Sequence, residues 1–227
     1  MKSAVIFTIL LLLGMPAVAS VIHVPGDYPS IQEAIDHAVN GDTVQVANGT
    51  YTGFGNRKIR FHGKEIVVTS EAGPDLCVID CQGKGRGFIF DNGEKLSSKL
   101  IGFTITNGAA SDGGGIFCGE ISSPSIERCH LLGNSATNNG GGLYCENGSN
   151  PHVRDCIITD NIAKYEGGGI YHQNITSVHL NRFLVSDCTI THNETTHEKW
   201  GPGYVDWSGA GIFLLWSDYA EIHNSVI

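Results

Sequence analysis

A repeat with a constant period constrains the fold of this chain more than any other feature. The segments GGGIFC, GGGLYC and GGGIYH begin at Gly113, Gly140 and Gly167, at a constant interval of 27 positions. Asparagines keep the same spacing, at Asn107, Asn134 and Asn161. A period of about 20 to 50 residues that several residue types share indicates a solenoid rather than a single globular core.

Short β-rich segments lie between these landmarks, such as LIGFTIT at 100–106 and CIIT at 156–159. The chain lacks the long segments with helical apolar spacing that a solenoid of paired helices requires. A coil of this length with a few short strands predicts an all-β fold, a parallel β-helix. Its coils would stack about 4.8 Å apart, so that each landmark lies above its copy in the coil below.

Stacking of the coils places equivalent residues in columns. We expect an aliphatic column inside the β-helix at Ile105, Leu132, Ile158 and Ile190. We expect an amide ladder at Asn107, Asn134, Asn161 and Asn193. In such a ladder each side-chain amide donates to one neighbouring copy and accepts from the other, which satisfies polar groups at a buried turn. The glycine triplets would supply φ > 0 and let the coils approach closely at the corner that follows.

Residues 1–19 have the pattern of a secretory signal peptide. Lys2 gives a charged start, residues 4–14 form an apolar run, and an A-x-A cleavage site at 17–19 precedes Ser20. The run is too short to cross a bilayer, so we predict no membrane span. We therefore expect a secreted or cell-surface protein with one β-helix domain over residues 20–227.

One helix is predicted ahead of the coils. Ser30 and Glu33 make a capping box, and Gly41 is expected to end the helix. Its apolar face would consist of Ile31, Ala34, Ile35, Ala38 and Val39. Such a helix is expected to cap the open apolar end of the first coil. The chain stops at Ile227 in a predicted strand without a closing segment, so we expect the β-helix to be incomplete at its C-terminus.

The chain is acidic, with a formal net charge of −9. Removing residues 1–19 takes away one base, Lys2, and leaves 13 Lys and Arg against 23 Asp and Glu. This balance argues against nucleic acid or an anionic membrane surface as a partner. It also makes a polyanionic sugar an unfavourable ligand unless a cation bridges the two.

Two insertions interrupt the repeat after Gly169, one of 5 residues within 172–185 and one of 10 residues within 194–208. Insertions in solenoids form loops on one face, commonly the binding face. The second insertion contains His197 and the candidate ligand-binding residues Trp200, Tyr204, Asp206 and Trp207. The aromatic rings could stack on sugar rings while the polar side chains bind hydroxyls. Alternatively, the rings anchor the loop to the wall of the β-helix.

Carboxylates that point outward offer a second kind of site. Asp155 and Asp187 align one coil apart, in a column with Arg128, and Asp160 aligns with His192. Two Asp at this spacing could hold Ca²⁺ through waters, or act as acid and base against a glycosidic bond. The alternative is a solvated wall with charge pairs. No cofactor other than Ca²⁺ is suggested by the sequence, and the sequence identifies no catalytic residue.

Seven cysteines in an exported protein raise the question of disulfides. Cys118 and Cys145 would be neighbours in one column, within reach of a bond. Cys129, Cys156 and Cys188 form a column of three, which cannot pair completely. The expected arrangement is inward thiols that pack as small apolar residues, and the spacings match no zinc pattern.

Two stretches resemble known families. The stretch from Tyr28 to Tyr51, YPSIQEAIDHAVNGDTVQVANGTY, resembles the start of secreted proteins of the pectin lyase-like superfamily, pectin methylesterases among them. The GGGI at 113–116 and GN-x-A at 133–136 are similar to repeats of bacterial right-handed β-helix surface proteins, including the chlamydial polymorphic outer membrane proteins. The resemblance implies a right-handed parallel β-helix. It implies no single activity, because that superfamily holds lyases, hydrolases, esterases, epimerases and adhesins on one scaffold. Where the esterase pattern has an acidic residue, this chain has Gly53.

Two functional hypotheses follow. The first is an exported or cell-surface β-helix module that binds carbohydrate or another extracellular ligand along one long face, which the small variation among coils favours. The alternative is a polysaccharide-degrading enzyme, either a pectate lyase-like lyase or a glycoside hydrolase, with its site in the irregular coil at 172–208 or beyond Ile227. A polysaccharide or cell-surface glycan is the partner in both.

Overall fold

A computed structural model describes residues 18–174, 182–197, 210–215 and 220–227. These residues form one helix, α1 (Ile31–His37), and 24 short strands. The first twelve strands are β1 (Val21–Val24), β2 (Thr43–Val46), β3 (Gly49–Tyr51), β4 (Ile59–Arg60), β5 (Val67–Ser70), β6 (Cys77–Asp80), β7 (Phe88–Phe90), β8 (Lys99–Ile101), β9 (Thr104–Thr106), β10 (Ala109–Ala110), β11 (Ile116–Cys118) and β12 (Ser125–Glu127). The other twelve are β13 (His130–Leu132), β14 (Ser135–Ala136), β15 (Leu143–Cys145), β16 (His152–Arg154), β17 (Ile157–Thr159), β18 (Ile162–Ala163), β19 (Ile170–Gln173), β20 (Leu184–Ser186), β21 (Thr189–Thr191), β22 (Glu194–Thr195), β23 (Ile212–Leu215) and β24 (Glu221–His223).

Parallel pairing joins these strands into four sheets. Sheet A has the order β1-β2-β5-β8-β12-β16-β20-β24, and sheet B has the order β3-β6-β9-β13-β17-β21. Sheet C has the order β4-β7-β11-β15-β19-β23, and sheet D has the order β10-β14-β18-β22. Each strand therefore pairs with its counterpart one coil away. The predicted all-β, right-handed parallel β-helix with an N-terminal capping helix is confirmed.

The aliphatic column lies inside the β-helix, with one residue corrected. Ile105 pairs with Leu131, which pairs in turn with Ile158, and all three are buried. The prediction of Leu132 was wrong, because the coil from Ile105 to Leu131 is one residue shorter than the repeat. A shift of one residue moves a side chain to the other face of a strand, so Leu132 is exposed.

The amide ladder contains three of its four predicted members. Asn134 Nδ2 donates to Asn161 Oδ1 at 3.0 Å, and Asn161 Nδ2 donates to Asn193 Oδ1 at 2.9 Å. The short coil excludes Asn107 and puts Gly108 in its place, where the Gly108 N–H donates to Asn134 Oδ1 at 2.8 Å. Asn107 is exposed instead, so its prediction as a ladder residue was wrong.

The glycine triplets leave the space that the ladder needs. The first glycine of each triplet has a φ of +62° to +65°. At the third, a Cβ on Gly142 would lie 3.2 Å from Asn161 Nδ2 and 2.6 Å from the Gly169 carbonyl oxygen. The glycines therefore let one coil rest directly on the next, as predicted from their repeat.

Helix α1 caps the first coil. Its N-cap residue, Ser30, accepts from the Glu33 N–H at 3.3 Å, and its buried face of Ile31, Ala34 and Ile35 joins the main apolar core. The helix ends at His37 rather than near Gly41, because Ala38 is already extended. Val39 was predicted on the apolar face but is 52% exposed.

The strand register confirms both insertions. Val153 pairs with Val185, whereas a coil of regular length would bring it to position 180, so the first insertion lies between β19 and β20. Ile170 pairs with Ile212, whereas the first insertion alone would bring it to position 202, so the second lies between β22 and β23. Both connect strands at the C-terminal end of the described coils.

Candidate functional site

Four basic side chains surround a groove where sheets C and D begin. The groove has a volume of about 410 Å³, and its lining includes Lys58, Arg60, Lys84 and Arg86 beside Ile89. We call this site the basic groove. Its charge is opposite in sign to the net charge of −9 on the whole chain. The prediction that a polyanionic sugar is unfavourable was drawn from the net charge of the whole chain and did not consider this local group of basic residues.

Strand pairing brings these basic residues together from two coils. Arg60 on β4 pairs with Ile89 on β7, and the Lys58 N–H donates to the Arg86 carbonyl oxygen at 2.7 Å. Ile59, between Lys58 and Arg60, is completely buried. Because side chains alternate along a strand, the Arg60 side chain points outward, and Lys58, directly before β4, is exposed.

Two of the four cations are free to meet a ligand. Lys58 and Lys84 are exposed, and neither ammonium group has an ion pair or hydrogen bond among the described residues. Lys58 has φ +53°, and its side chain lies across Gly85, where a Cβ would be 2.4 Å from Lys58 Cε. Glycine at this position therefore lets the lysine lie along the groove.

The two arginines are held in place. Arg60 forms an ion pair with Asp91. Arg86 donates from Nη2 to the Asp112 carbonyl oxygen at 2.7 Å, and its guanidinium lies 4.8 Å from the centre of the Phe117 ring. Burial lowers the pKa of Arg86 from its ordinary value, yet a guanidinium stays charged at neutral pH. The groove thus combines fixed planar donors, which suit carboxylate or sulfate groups, with two movable ammonium groups.

An aromatic column continues from the basic groove along the outer face of sheet C. Its members are stacked one coil apart: Phe117, Tyr144, Tyr171 and Phe213. Successive ring centres are 5.7, 4.9 and 5.3 Å apart, with interplanar angles of 16°, 7° and 12°. Both faces of the Tyr144 and Tyr171 rings are therefore covered by neighbouring rings of the column. We interpret the column as a stabilising feature rather than as a platform for sugar rings.

The tyrosines of this column are neutral hydroxyl groups. Tyr144 donates to Glu146 Oε2 at 3.0 Å, and Tyr171 donates to Gln173 Oε1 at 3.3 Å. Burial, followed by the nearby acidic charges, raises the pKa of Tyr171 to about 12. Burial also raises the pKa of Tyr144. Their role at neutral pH is hydrogen bonding and packing.

The aromatic residues predicted from the second insertion, Trp200, Tyr204, Asp206 and Trp207, lie outside the described residues. His197 is described, and its ring centre lies 5.1 Å from that of Tyr165. The insertion leads into β23, the strand that carries Phe213 at the end of the aromatic column. Sugar binding by these four residues stays a prediction.

The predicted carboxylate columns occupy sharp turns. Asp155 and Asp187 have φ of +53° and +56°, and Arg128, in the same column, has φ +49°. Asp160 and His192, which directly follow strands β17 and β21 of sheet B, have φ of +57° and +54°. Asp and Asn tolerate the left-handed conformation better than most residues. The backbone conformation alone therefore explains why aspartate occupies these turns, and no bound ligand is needed to explain it. Within the described ranges no group of three or more His, Cys, Asp or Glu could hold a metal, and Ca²⁺ binding stays a prediction.

The cysteines pack inside the β-helix, as predicted. All seven are buried and free. The Cys129 N–H donates to Cys156 Sγ at 3.4 Å, and the Cys156 N–H donates to Cys188 Sγ at 3.4 Å. His172 continues the column of Cys118 and Cys145. Burial lowers the pKa of His172 to about 4, so this histidine is neutral at neutral pH.

Comparison with known proteins identifies the fold but no individual relative. A family model described as a right-handed β-helix region matches residues 42–227, which includes the basic groove and the aromatic column. No curated protein and no solved structure matches the chain. Of the described residues, no helix is long and apolar enough to cross a membrane.

Proposed function

The chain belongs to the right-handed β-helix family, and from this premise we propose that it is an exported or cell-surface module that binds carbohydrate. The observation that carries the proposal is the basic groove, in which Lys58 and Lys84 present unpaired ammonium groups beside two fixed arginines. A groove along the wall of a solenoid suits an extended ligand. The charge of the groove selects sugars that carry carboxylate or sulfate groups.

Local charge outweighs net charge at this site. Charges separated by more than about 8 Å in solvent are largely screened at physiological ionic strength, so the acidic surface elsewhere repels a bound anion weakly. Groups inside the groove act at contact distance. Exposed ammonium groups also lose little on binding, since no existing ion pair has to break.

Reversing both free charges is expected to weaken binding of an acidic glycan by about tenfold or more. The variant is Lys58→Glu with Lys84→Glu, and the measurement is calorimetric titration with a polyuronate, a sulfated glycan and a neutral glycan. Binding of the acidic glycans should weaken further as salt is raised. The same samples are assayed for new reducing ends and unsaturated products, which would reveal cleavage of the glycan.

The control is Lys164→Glu, which makes one of these Lys→Glu reversals at an exposed lysine whose ammonium group lies over Tyr165 on another part of the wall, and which is compared with each single groove variant, Lys58→Glu and Lys84→Glu, as well as with the double variant. This control should bind like the parent chain. Equal binding of neutral and acidic glycans, or unchanged binding by the double variant, would overturn the assignment of the basic groove as the ligand site.

A further inference from the structure

Asp42 is a buried carboxylate whose hydrogen bonds lead to the first residue of the β-helix. It is 3% exposed. Its Oδ1 accepts from the Ser20 backbone N–H at 2.8 Å and from the Ser20 hydroxyl at 2.9 Å, while Oδ2 accepts from the Val39 N–H at 2.8 Å. The Val39 and Ser20 N–H groups, in that order, lower the pKa of Asp42 from its ordinary value, so the carboxylate is ionised at neutral pH.

This carboxylate has no ion-pair partner in the described part of the chain. Lys64 acts on Asp42 electrostatically, but its ammonium group donates to the carbonyl oxygens of Ile35 and Asp36 at 2.7 and 2.8 Å. A buried carboxylate is rarely left without a paired cation. Two backbone nitrogens, those of Ser20 and Val39, lie 2.8 Å from the carboxylate, and the one that follows the predicted cleavage site is the nitrogen of Ser20.

The Ala19–Ser20 peptide bond lies at the boundary between exposed chain and β-helix. Val18 is 89% exposed, and Ala19 and Ser20 are exposed as well. Pairing with the second strand begins immediately afterwards, where the Thr43 N–H donates to the Ser20 carbonyl oxygen at 2.8 Å. A peptidase could therefore reach this bond without opening the fold.

We propose that hydrolysis of the Ala19–Ser20 bond, by a peptidase selective for small residues at 17 and 19, places the new α-ammonium group of Ser20 on the Asp42 carboxylate. Water is consumed, Ala19 leaves with a carboxylate, and the Ser20 amine takes up a proton. The nitrogen keeps its position 2.8 Å from Asp42 Oδ1. An amide hydrogen bond becomes a charge-assisted one, which is shorter and stronger. Processing would thus lock the first strand onto the second, independently of any ligand in the basic groove.

The ion pair is expected to stabilise the fold only within a limited range of pH. The α-ammonium pKa is raised by Asp42, so its contribution is complete below its ordinary value of about 7.7 to 8.0 and is lost as pH rises through the raised value. The Asp42 pKa is lowered, so its contribution is present above its ordinary value and is lost as pH falls through the lowered value. The other charged or titratable groups of the described residues that face this site include Lys64, Asp27, Tyr28 and His37.

The full chain is expressed in an exporting host, and the mass of the exported protein gives its first residue. We expect Ser20. Part of the sample is then acetylated selectively at the α-amine, at a mildly acidic pH that leaves lysines protonated. At neutral pH the free-amine form should melt about 3 °C above the acetylated form. In an Asp42→Asn variant prepared identically, the two forms should melt together.

A different first residue, or equal melting temperatures of the free and acetylated forms, would overturn the proposal. A difference that persists unchanged in Asp42→Asn would show that the amine acts on some other group. If that variant does not fold, the parent chain still decides the matter. The difference in melting temperature must then shrink above about pH 8, as the ammonium deprotonates, and a constant difference would count against the ion pair.

Discussion

Replacing Gly141 by alanine is expected to lower the free energy of unfolding by about 3 kcal/mol or more. A Cβ at this position would lie 2.4 Å from the Gly168 carbonyl oxygen and 2.6 Å from the Ile162 carbonyl oxygen. Both are backbone atoms, so relief requires moving a coil rather than rotating a side chain. Thermal and urea unfolding followed by circular dichroism would measure the loss.

Gly133→Asn is the matched control. Gly133 has φ +63°, and the contact nearest to a Cβ there is Thr106 Oγ1 at 3.9 Å. Neighbouring coils already carry Asn107, Asp160 and His192 at this left-handed position. Asparagine should therefore be tolerated within about 0.5 kcal/mol. Comparable stability of Gly141→Ala and the parent chain would mean that the coils can separate far more easily than their packing indicates.

Removing the central amide of the ladder is also expected to lower the free energy of unfolding strongly. Asn161→Ala deprives both the Asn134 N–H and Asn134 Nδ2 of their shared acceptor, Asn161 Oδ1, although Nδ2 keeps its bond to the Ile105 carbonyl. It also removes the donor to the Leu131 carbonyl oxygen. Each buried polar group left unsatisfied costs about 1 to 3 kcal/mol, so we expect a loss of about 2 to 4 kcal/mol in chemical denaturation.

Asn107→Gly controls for the asparagine spacing itself. Asn107 shares the period of the repeat but is exposed, and its side chain donates to Asp80 Oδ1 at 2.9 Å, its one side-chain hydrogen bond to the described residues. Glycine keeps its left-handed backbone, so the change should cost less than about 1 kcal/mol. Equal losses in Asn107→Gly and Asn161→Ala would contradict the ladder as the source of the effect.

The fold could be predicted because one period governs the middle of the chain. Residues that repeat at this constant interval must stack when the coils are equal, and they do from Gly113 to Gly167. The errors at Leu132 and Asn107 share one cause, the short coil that precedes this region. A single missing residue changes which side chains point inward, and no landmark in the sequence marks where it is missing.

The basic groove escaped prediction for a related reason. Its residues belong to early coils that lack the glycine triplet. Ile59 pairs with Phe88 and Phe88 pairs with Ile116, so the interval changes from coil to coil and exceeds that of the repeat in both. Without a constant period, the sequence does not predict that Lys58 and Arg86 lie next to each other. The aromatic column could have been found, because Phe117, Tyr144 and Tyr171 occupy the same place in the repeated segments.

The amide ladder also bears on how such a gene can change in length. Among the described residues, the ladder asparagines bond to the coils directly before and after them, so a duplication of one whole repeat within the regular region would add a rung with every polar group satisfied. An insertion of only a few codons cannot add a whole coil. The extra residues have to form a loop between two strands, which is where the insertions of 5 and 10 residues lie. Unequal recombination between neighbouring repeats would therefore extend or shorten the wall in whole coils while the cap and the basic groove stay unchanged.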